Sequence, residues 1–171
     1  MKGVIEMAKS QKEIISNVCE GESWYVVPEY KVMLVRDSNG GAKVPGKKTG
    51  VKSPSDMADI FNTFLEGADR EHFVVAMLDR KGNVLGLNTV SIGSVSASVV
   101  HPREVFKPAI VMGASSIIVA HNHPSGDTAP SREDIDITNK LVEGGKLLGI
   151  EVLDHVIIGD GYCSLKARGF I

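Results

Sequence analysis

Cysteine is nearly missing from this sequence. Two occur in 171 residues, Cys19 and Cys163. They form no C-x-x-C pair and give no basis for a disulfide framework. That excludes a small secreted scaffold stapled by bridges and makes a reducing, cytoplasmic setting the expectation. Long apolar runs are missing too. No stretch approaches the ~20 residues needed to cross a bilayer, and no charged start leads into an apolar run, so no membrane partner is expected. Neither sign of charge is in excess: 19 Lys and Arg against 21 Asp and Glu give a formal net charge of -2. Without a global basic field, DNA binding is expected to be weak and salt-dependent. The glycine patterns that cradle dinucleotides or phosphates are absent, as are internal repeats and low-complexity segments.

What is present is ordinary globular material, 43% hydrophobic and 23% charged, in a length that suits one core. Residues 1–52 read as an N-terminal, strand-rich extension. Its opening, 1–21, is polar and helical in pattern. "WYVVPEYKVMLVR" (24–36) is rich in β-formers, with Pro28 at an edge or bend. "DSNGGAKVPGKKTGVK" (37–52) is loop chemistry, and its lysines Lys43, Lys47, Lys48 and Lys52 make the one basic cluster, most simply a solvated loop.

From residue 53 to 171 the texture changes to alternating strands and helices. Ser53 offers an N-cap, Pro54 a first helical residue and Asp56 a reciprocal cap. Met57, Ile60, Phe61, Phe64 and Leu65 follow on one helical face. "HFVVAMLD" (72–79) and "VLGLNTVS" (84–91) read as a hairpin across "RKGN". "VSASVV" (95–100) is a third extended piece. Pro102 opens a helix carrying Val105, Phe106, Ala109 and Ile110, with Pro108 expected to force a kink or an irregular turn. "SIIVA" (116–120) is a buried strand. Ser131 caps a further helix with Asp134 as its third residue; Ile135, Thr138, Leu141 and Val142 form its inner face, and Gly149 stops it. "EVLDHVII" (151–158) and "YCSL" (162–165) are the closing strands.

The chemistry gathers in "AHNHPSGDTAPSREDID" (120–136). Its letters spell H-N-H, but the nuclease class of that name scatters those residues through a hairpin and helix, so the string itself carries little. Geometry carries more. His121 and His123 are alternate residues at a strand end, so both imidazoles point one way. Pro124 and Gly126 turn the chain, and Asp134, in the first turn of the next helix, can swing back toward the strand end. Two imidazoles and a carboxylate make a three-ligand zinc site with a fourth position for water, and zinc-activated water attacks carbonyls. A capping box alone would also account for Ser131 and Asp134.

His121-x-His123, seven residues, Ser131, two residues, Asp134 resembles the H-x-H-x(7)-S-x(2)-D signature of the JAMM/MPN zinc metalloproteases. "HPREVFKPAI", "AHNHPSGD", "PSREDI" and "LLGIEVLDHVIIGDG" look like the RadC branch of that superfamily. The resemblance covers residues 53–171. It implies an α/β fold of cytidine-deaminase type, a mixed sheet with flanking helices and a zinc site at a sheet edge. It implies His121, His123 and Asp134 as Zn2+ ligands and Ser131 as donor to the tetrahedral intermediate. It also calls for a glutamate as general acid/base. Glu71, just before "HFVVAMLD", fits that place; Glu104 in "HPREV" is the rival, though the helix dipole explains an early helical glutamate. Among the remaining polar residues, His101 reads as a cap, Asp127 as turn chemistry, Asp154 and His155 as structural or supporting groups on opposite strand faces, and Cys163 as a small core residue. His72 has no evident task.

Full-length members commonly carry an N-terminal helix-hairpin-helix region; residues 1–52 show no such glycine-hairpin pattern and are more similar to short RadC-like proteins of mobile elements and phages. Two function classes follow. One is a zinc hydrolase cleaving a peptide or isopeptide bond in a protein or peptide substrate. The other is a RadC-like accessory module of DNA repair or mobile-element biology that binds without peptidase activity. The complete ligand set favours the hydrolase.

Overall fold

The computed structural model describes residues 28–32, 35, 50–93 and 100–171. The expected lead-in helix, most of the 37–52 loop and nearly all of the 95–100 piece lie outside the described residues; of the one or two strands expected over 24–36, residues 28–32 and 35 are described and are exposed and in no strand. All elements below belong to the unit that begins at Met33.

Helix α1 (Pro54–Phe64) starts as the capping pattern predicts. Ser53 accepts from the Asp56 backbone N–H, the Asp56 carboxylate accepts from the Ser53 N–H, and Pro54 occupies the first turn. Strand β1 (Glu71–Leu78) forms an antiparallel hairpin with β2 (Val84–Gly93). Helix α2 (Pro102–Met112) leads to β3 (Ser116–Asn122), which is buried along its whole length. Helix α3 (Arg132–Leu148) returns the chain to β4 (Glu151–Gly159), and β5 (Gly161–Ser164) closes the sheet.

The five strands lie in the order β2-β1-β3-β4-β5. Only β3 and β4 are parallel. A parallel pair needs a long crossover, and α3 supplies it. The sheet is thus mixed, with helices on both faces. Phe73, Val75 and Met77 of β1 pack with Val105, Phe106 and Ala109 of α2, Ile137 and Leu141 of α3, and Ile117 and Val119 of β3. Val74, Ala76 and Leu78 face the other way, onto Met57 and Phe61 of α1, its C-cap Leu65, and Ile118, Ala120, Val156 and Ile158. A strand covered on both faces is apolar at every position, which is why β1 reads "FVVAML" without alternation.

Four expectations are corrected. The inner face of α3 is built on Asp134, Ile137, Thr138, Leu141 and Gly145; Ile137 is the core isoleucine, and Ile135 is only half-buried. The 134–137–141 stripe follows the 3.6-residue period when counted from the cap, and a stripe started at Ile135 is set one residue, about 100°, away from it. Ile110 is 54% exposed and does not join the core face of α2. Helix α2 continues through Pro108 without the irregular turn; the missing N–H forfeits one bond, and burial of Val105, Phe106 and Ala109 holds the helix. Finally, β3 is the middle strand, so its C-terminal end, where the histidines stand, is interior to the sheet and not at an edge strand.

Candidate metal centre

His121 is the sixth residue of β3, fully buried. His123 lies one step past the strand, and its backbone N–H still donates to the Ile158 carbonyl at 2.8 Å. The two side chains therefore keep the alternation of the strand and project from the same face. The chain then turns. Gly126 has φ of 84°, which favours glycine, and a Cβ there would sit 2.6 Å from the Asp160 carboxylate. Its carbonyl accepts from the Asp160 N–H at 2.8 Å, tying the loop to the end of β4. After the loop, Ser131 caps α3 and places Asp134, its third residue, in the first turn.

These local rules bring three side chains together. Among the described residues, one ligand atom each from His121, His123 and Asp134 lie within 4.8 Å of one another. His121 Nε2 is 2.9 Å from His123 Nε2, 3.2 Å from Asp134 Oδ1, and His123 Nε2 is 3.7 Å from Asp134 Oδ2. His121 and Asp134 are buried, and His123, with its side chain 17% exposed, is the one that meets solvent.

The outer atoms of each candidate ligand are taken. His123 Nδ1 lies 2.6 Å from the Asp127 carbonyl. A carbonyl only accepts, so Nδ1 carries the proton and Nε2 keeps its lone pair toward the centre. His121 Nδ1 is engaged by His155 Nε2 at 2.8 Å. Asp134 Oδ2 accepts from the Ser131 N–H at 2.8 Å and from its hydroxyl at 2.6 Å. Burial pushes the Asp134 carboxyl up, but the His121 ring beside it and the two Ser131 donors outweigh it, and the group stays well below the usual carboxylate range. Two imidazole lone pairs and an ionised carboxylate facing one another repel unless a cation lies among them. The donor set, two nitrogens and one oxygen, suits a metal ion such as zinc.

Phe73 walls the centre. Its ring stacks on His121 at a centroid distance of 6.1 Å and meets His155 edge-on at 5.5 Å. Because Phe73 pairs with His121 across β1 and β3, Glu71, two residues earlier, lies level with His123 and on the Phe73 face of the strand. It is half-buried. Glu104 is elsewhere. It sits in the first turn of α2, ion-paired to Lys107 at 2.6 Å and Arg103 at 3.5 Å. The Lys107 ammonium beside it holds its carboxyl below the usual range. It borders an apolar groove with Gly144 and Leu147, ten residues along α3 from Asp134, or about 15 Å at 1.5 Å per residue.

Other polar residues found places that the sequence named only in part. His101 accepts from the Arg103 N–H and caps α2. Asp127 accepts from the Ala129 N–H and so shapes the turn. Asp154 accepts from the Ser164 hydroxyl and the Lys166 N–H, anchoring the C-terminal turn. Cys163 is buried beside Ile157 and Leu165. The sequence reasoning missed Asn122. Its Oδ1 accepts from the His72 N–H and its Nδ2 donates to the Arg70 carbonyl. The pattern "HNH" at a strand end points Asn122 away from the histidine face, but its partners are fifty residues upstream. Thr138 lies on the inner face of α3 as its period predicts, and its contact with His155 has no signal in the local sequence.

The family model of the RadC-like JAB domain matches residues 51–170, almost the whole described unit. The sequence is also similar to UPF0758 proteins. The one from Syntrophomonas wolfei is 54% identical over 126 residues, 71% of this chain and 54% of that protein. The one from Rubrobacter xylanophilus is 49% identical over 130 residues, 76% of this chain and 57% of that protein. The one from Desulfitobacterium hafniense is 54% identical over 144 residues, 84% and 63% of the two chains. The chain spans little more than half the length of the curated relatives it matches.

Proposed function

Because this chain belongs to the RadC-like JAB domain family, we propose that it is a zinc-dependent hydrolase that cleaves a peptide or isopeptide bond. One observation carries the reading: His121 Nε2, His123 Nε2 and the Asp134 carboxylate converge at the C-terminal end of β3. These three residues would hold the ion. When bound, zinc supplies Lewis acidity, which activates water near neutral pH and polarises a carbonyl.

The remaining work falls to this chain's own groups. A base must take the proton of the attacking water and return one to the leaving nitrogen. His121, His123 and Asp134 cannot serve while their lone pairs face the ion. Glu71 stands on the Phe73 face beside His123, the ligand that meets solvent, and we assign the proton transfer to its carboxylate. Glu104, held by Lys107 beside the far part of α3, has no part in it. Ser131 keeps Asp134 in place through both its N–H and its hydroxyl. To donate to a substrate oxygen, that hydroxyl must turn away from Asp134 Oδ2. Phe73 excludes water from the inner side of His121, which strengthens the electrostatics there.

The test is metal analysis of the purified chain, followed by a peptidase screen with a chelator and with zinc restored. About one zinc per chain, and cleavage lost on chelation and regained with zinc, are expected. A chain that takes up no zinc removes the metal reading. A chain that binds zinc but cleaves nothing across a broad peptide and isopeptide panel points instead to the accessory-module alternative. No helix among the described residues is long and apolar enough to cross a membrane.

A further inference from the structure

We infer that His155 and Thr138 set the tautomer of His121, so that its Nε2 lone pair, and not an N–H, faces the metal centre. This rests on the metal reading above for its purpose, but its geometry stands alone.

Two side chains, His155 and Thr138, line up behind His121, and both are buried. Thr138 Oγ1 lies 2.5 Å from the Asp134 backbone carbonyl and 2.5 Å from His155 Nδ1. His155 Nε2 lies 2.8 Å from His121 Nδ1. A hydroxyl has one proton. The carbonyl of Asp134 can only accept, so the Thr138 proton must go there; the other arrangement would press two oxygen lone pairs together. Thr138 Oγ1 is then an acceptor toward His155, and His155 carries its proton on Nδ1.

The His155 ring is fully buried, and its two nitrogens meet a hydroxyl and an imidazole, neither of them a carboxylate. With Nδ1 protonated, its Nε2 is a bare acceptor. His121 must therefore donate through Nδ1–H, and its Nε2 is left with a lone pair toward Asp134 and His123. Every proton in the chain is assigned by one fixed acceptor, a main-chain carbonyl at the start of α3. That carbonyl belongs to Asp134, itself one of the three converging residues. The first turn of α3 thus supplies a carboxylate on one side and, through Thr138 and His155, orients an imidazole on the other. Phe73 covers both rings, stacking on His121 and meeting His155 edge-on, and His121, His155 and Thr138 are all buried. His155 and Thr138 are positioning residues; they act through His121.

Long-range nitrogen–proton NMR on metal-free protein labelled at histidine reads the tautomers directly. We expect the proton on Nδ1 for both His121 and His155. His155→Leu should leave His121 without a fixed tautomer and lower zinc affinity about 10- to 100-fold, the range for losing such a supporting partner. His155→Gln, whose amide can accept from His121 and donate to Thr138, should restore most of it. If His155→Leu does not fold, Thr138→Val, close in shape, should shift the same signals and weaken zinc, and Thr138→Ser should restore both. A His121 proton found on Nε2 in the parent protein overturns the proposal, as does parental zinc affinity in the folded His155→Leu or Thr138→Val protein. If the parent takes up no zinc, the metal reading fails, and the tautomer measurement still decides this one.

Discussion

Asn122 accepts a hydrogen bond from the backbone N–H of His72 at 2.8 Å, and through its other amide atom donates to the Arg70 carbonyl at 3.0 Å. It thus clamps both neighbours of Glu71. The β1–β3 ladder ends at Phe73 and His121, and the Asn122 side chain extends it by one residue. Asn122→Asp keeps the acceptor for His72 but sets a carboxylate against the Arg70 carbonyl. We expect zinc content to be unchanged and turnover to fall, because Glu71 loses its fixed position. Steady-state kinetics beside metal analysis checks this; equal turnover in the variant would remove the link. Asn122→Ala also leaves a part-buried N–H unpaired, at a cost of about 1–3 kcal/mol, visible in denaturant titration.

Glu71→Gln should retain fold and zinc yet lose roughly 100- to 10,000-fold in turnover, the usual worth of general acid–base help. Glu104→Gln should hydrolyse normally, because its carboxylate serves Lys107 and Arg103 on an exposed helix turn. A dead Glu104→Gln with an active Glu71→Gln would reverse the assignment while leaving the zinc site standing.

Ser131→Ala tests a residue with two tasks. Its hydroxyl accepts from the Asp134 N–H at 3.1 Å and donates to Asp134 Oδ2 at 2.6 Å. Loss of the cap should lower stability by about 0.5–2 kcal/mol. Loss of the second bond frees the Asp134 carboxylate to swing, so zinc should bind more weakly. Calorimetric zinc titration and thermal melts separate the two effects. A variant destabilised but binding zinc as the parent does would confine Ser131 to capping.

Gly126→Ala should destabilise without touching a ligand. Its φ of 84° disfavours a side chain, and the new Cβ would lie 2.6 Å from the Asp160 carboxylate. Strain of this kind costs about 1–3 kcal/mol. The turn also sets the Asp127 carbonyl against His123 Nδ1, so zinc affinity should fall with stability. Urea unfolding with and without zinc reads both; a neutral result would mean that the loop yields at no cost.

Much of the site was legible because it is local. Ser131 and Asp134 are three residues apart, and a helix cap depends only on the backbone between them. His121 and His123 share a face because strands alternate, whatever lies around them. The double-sided burial of β1 shows in its unbroken apolar run, and Gly149 ends α3 by adopting a φ of 69°. Other features depend on register and on which elements become neighbours, and no local rule carries those. Ile137 and not Ile135 enters the core because α3 is rotated by its docking on β3 and β4. Asn122 meets Arg70 and His72 only after β1 and β3 pair, across fifty residues of chain. His155 reaches His121 only because β4 lies parallel to β3, one strand over, with α3 crossing between them and delivering Thr138. Residue types and short spacings determined the candidate ligands and their shared direction; strand order and register decided which buried partners hold them there.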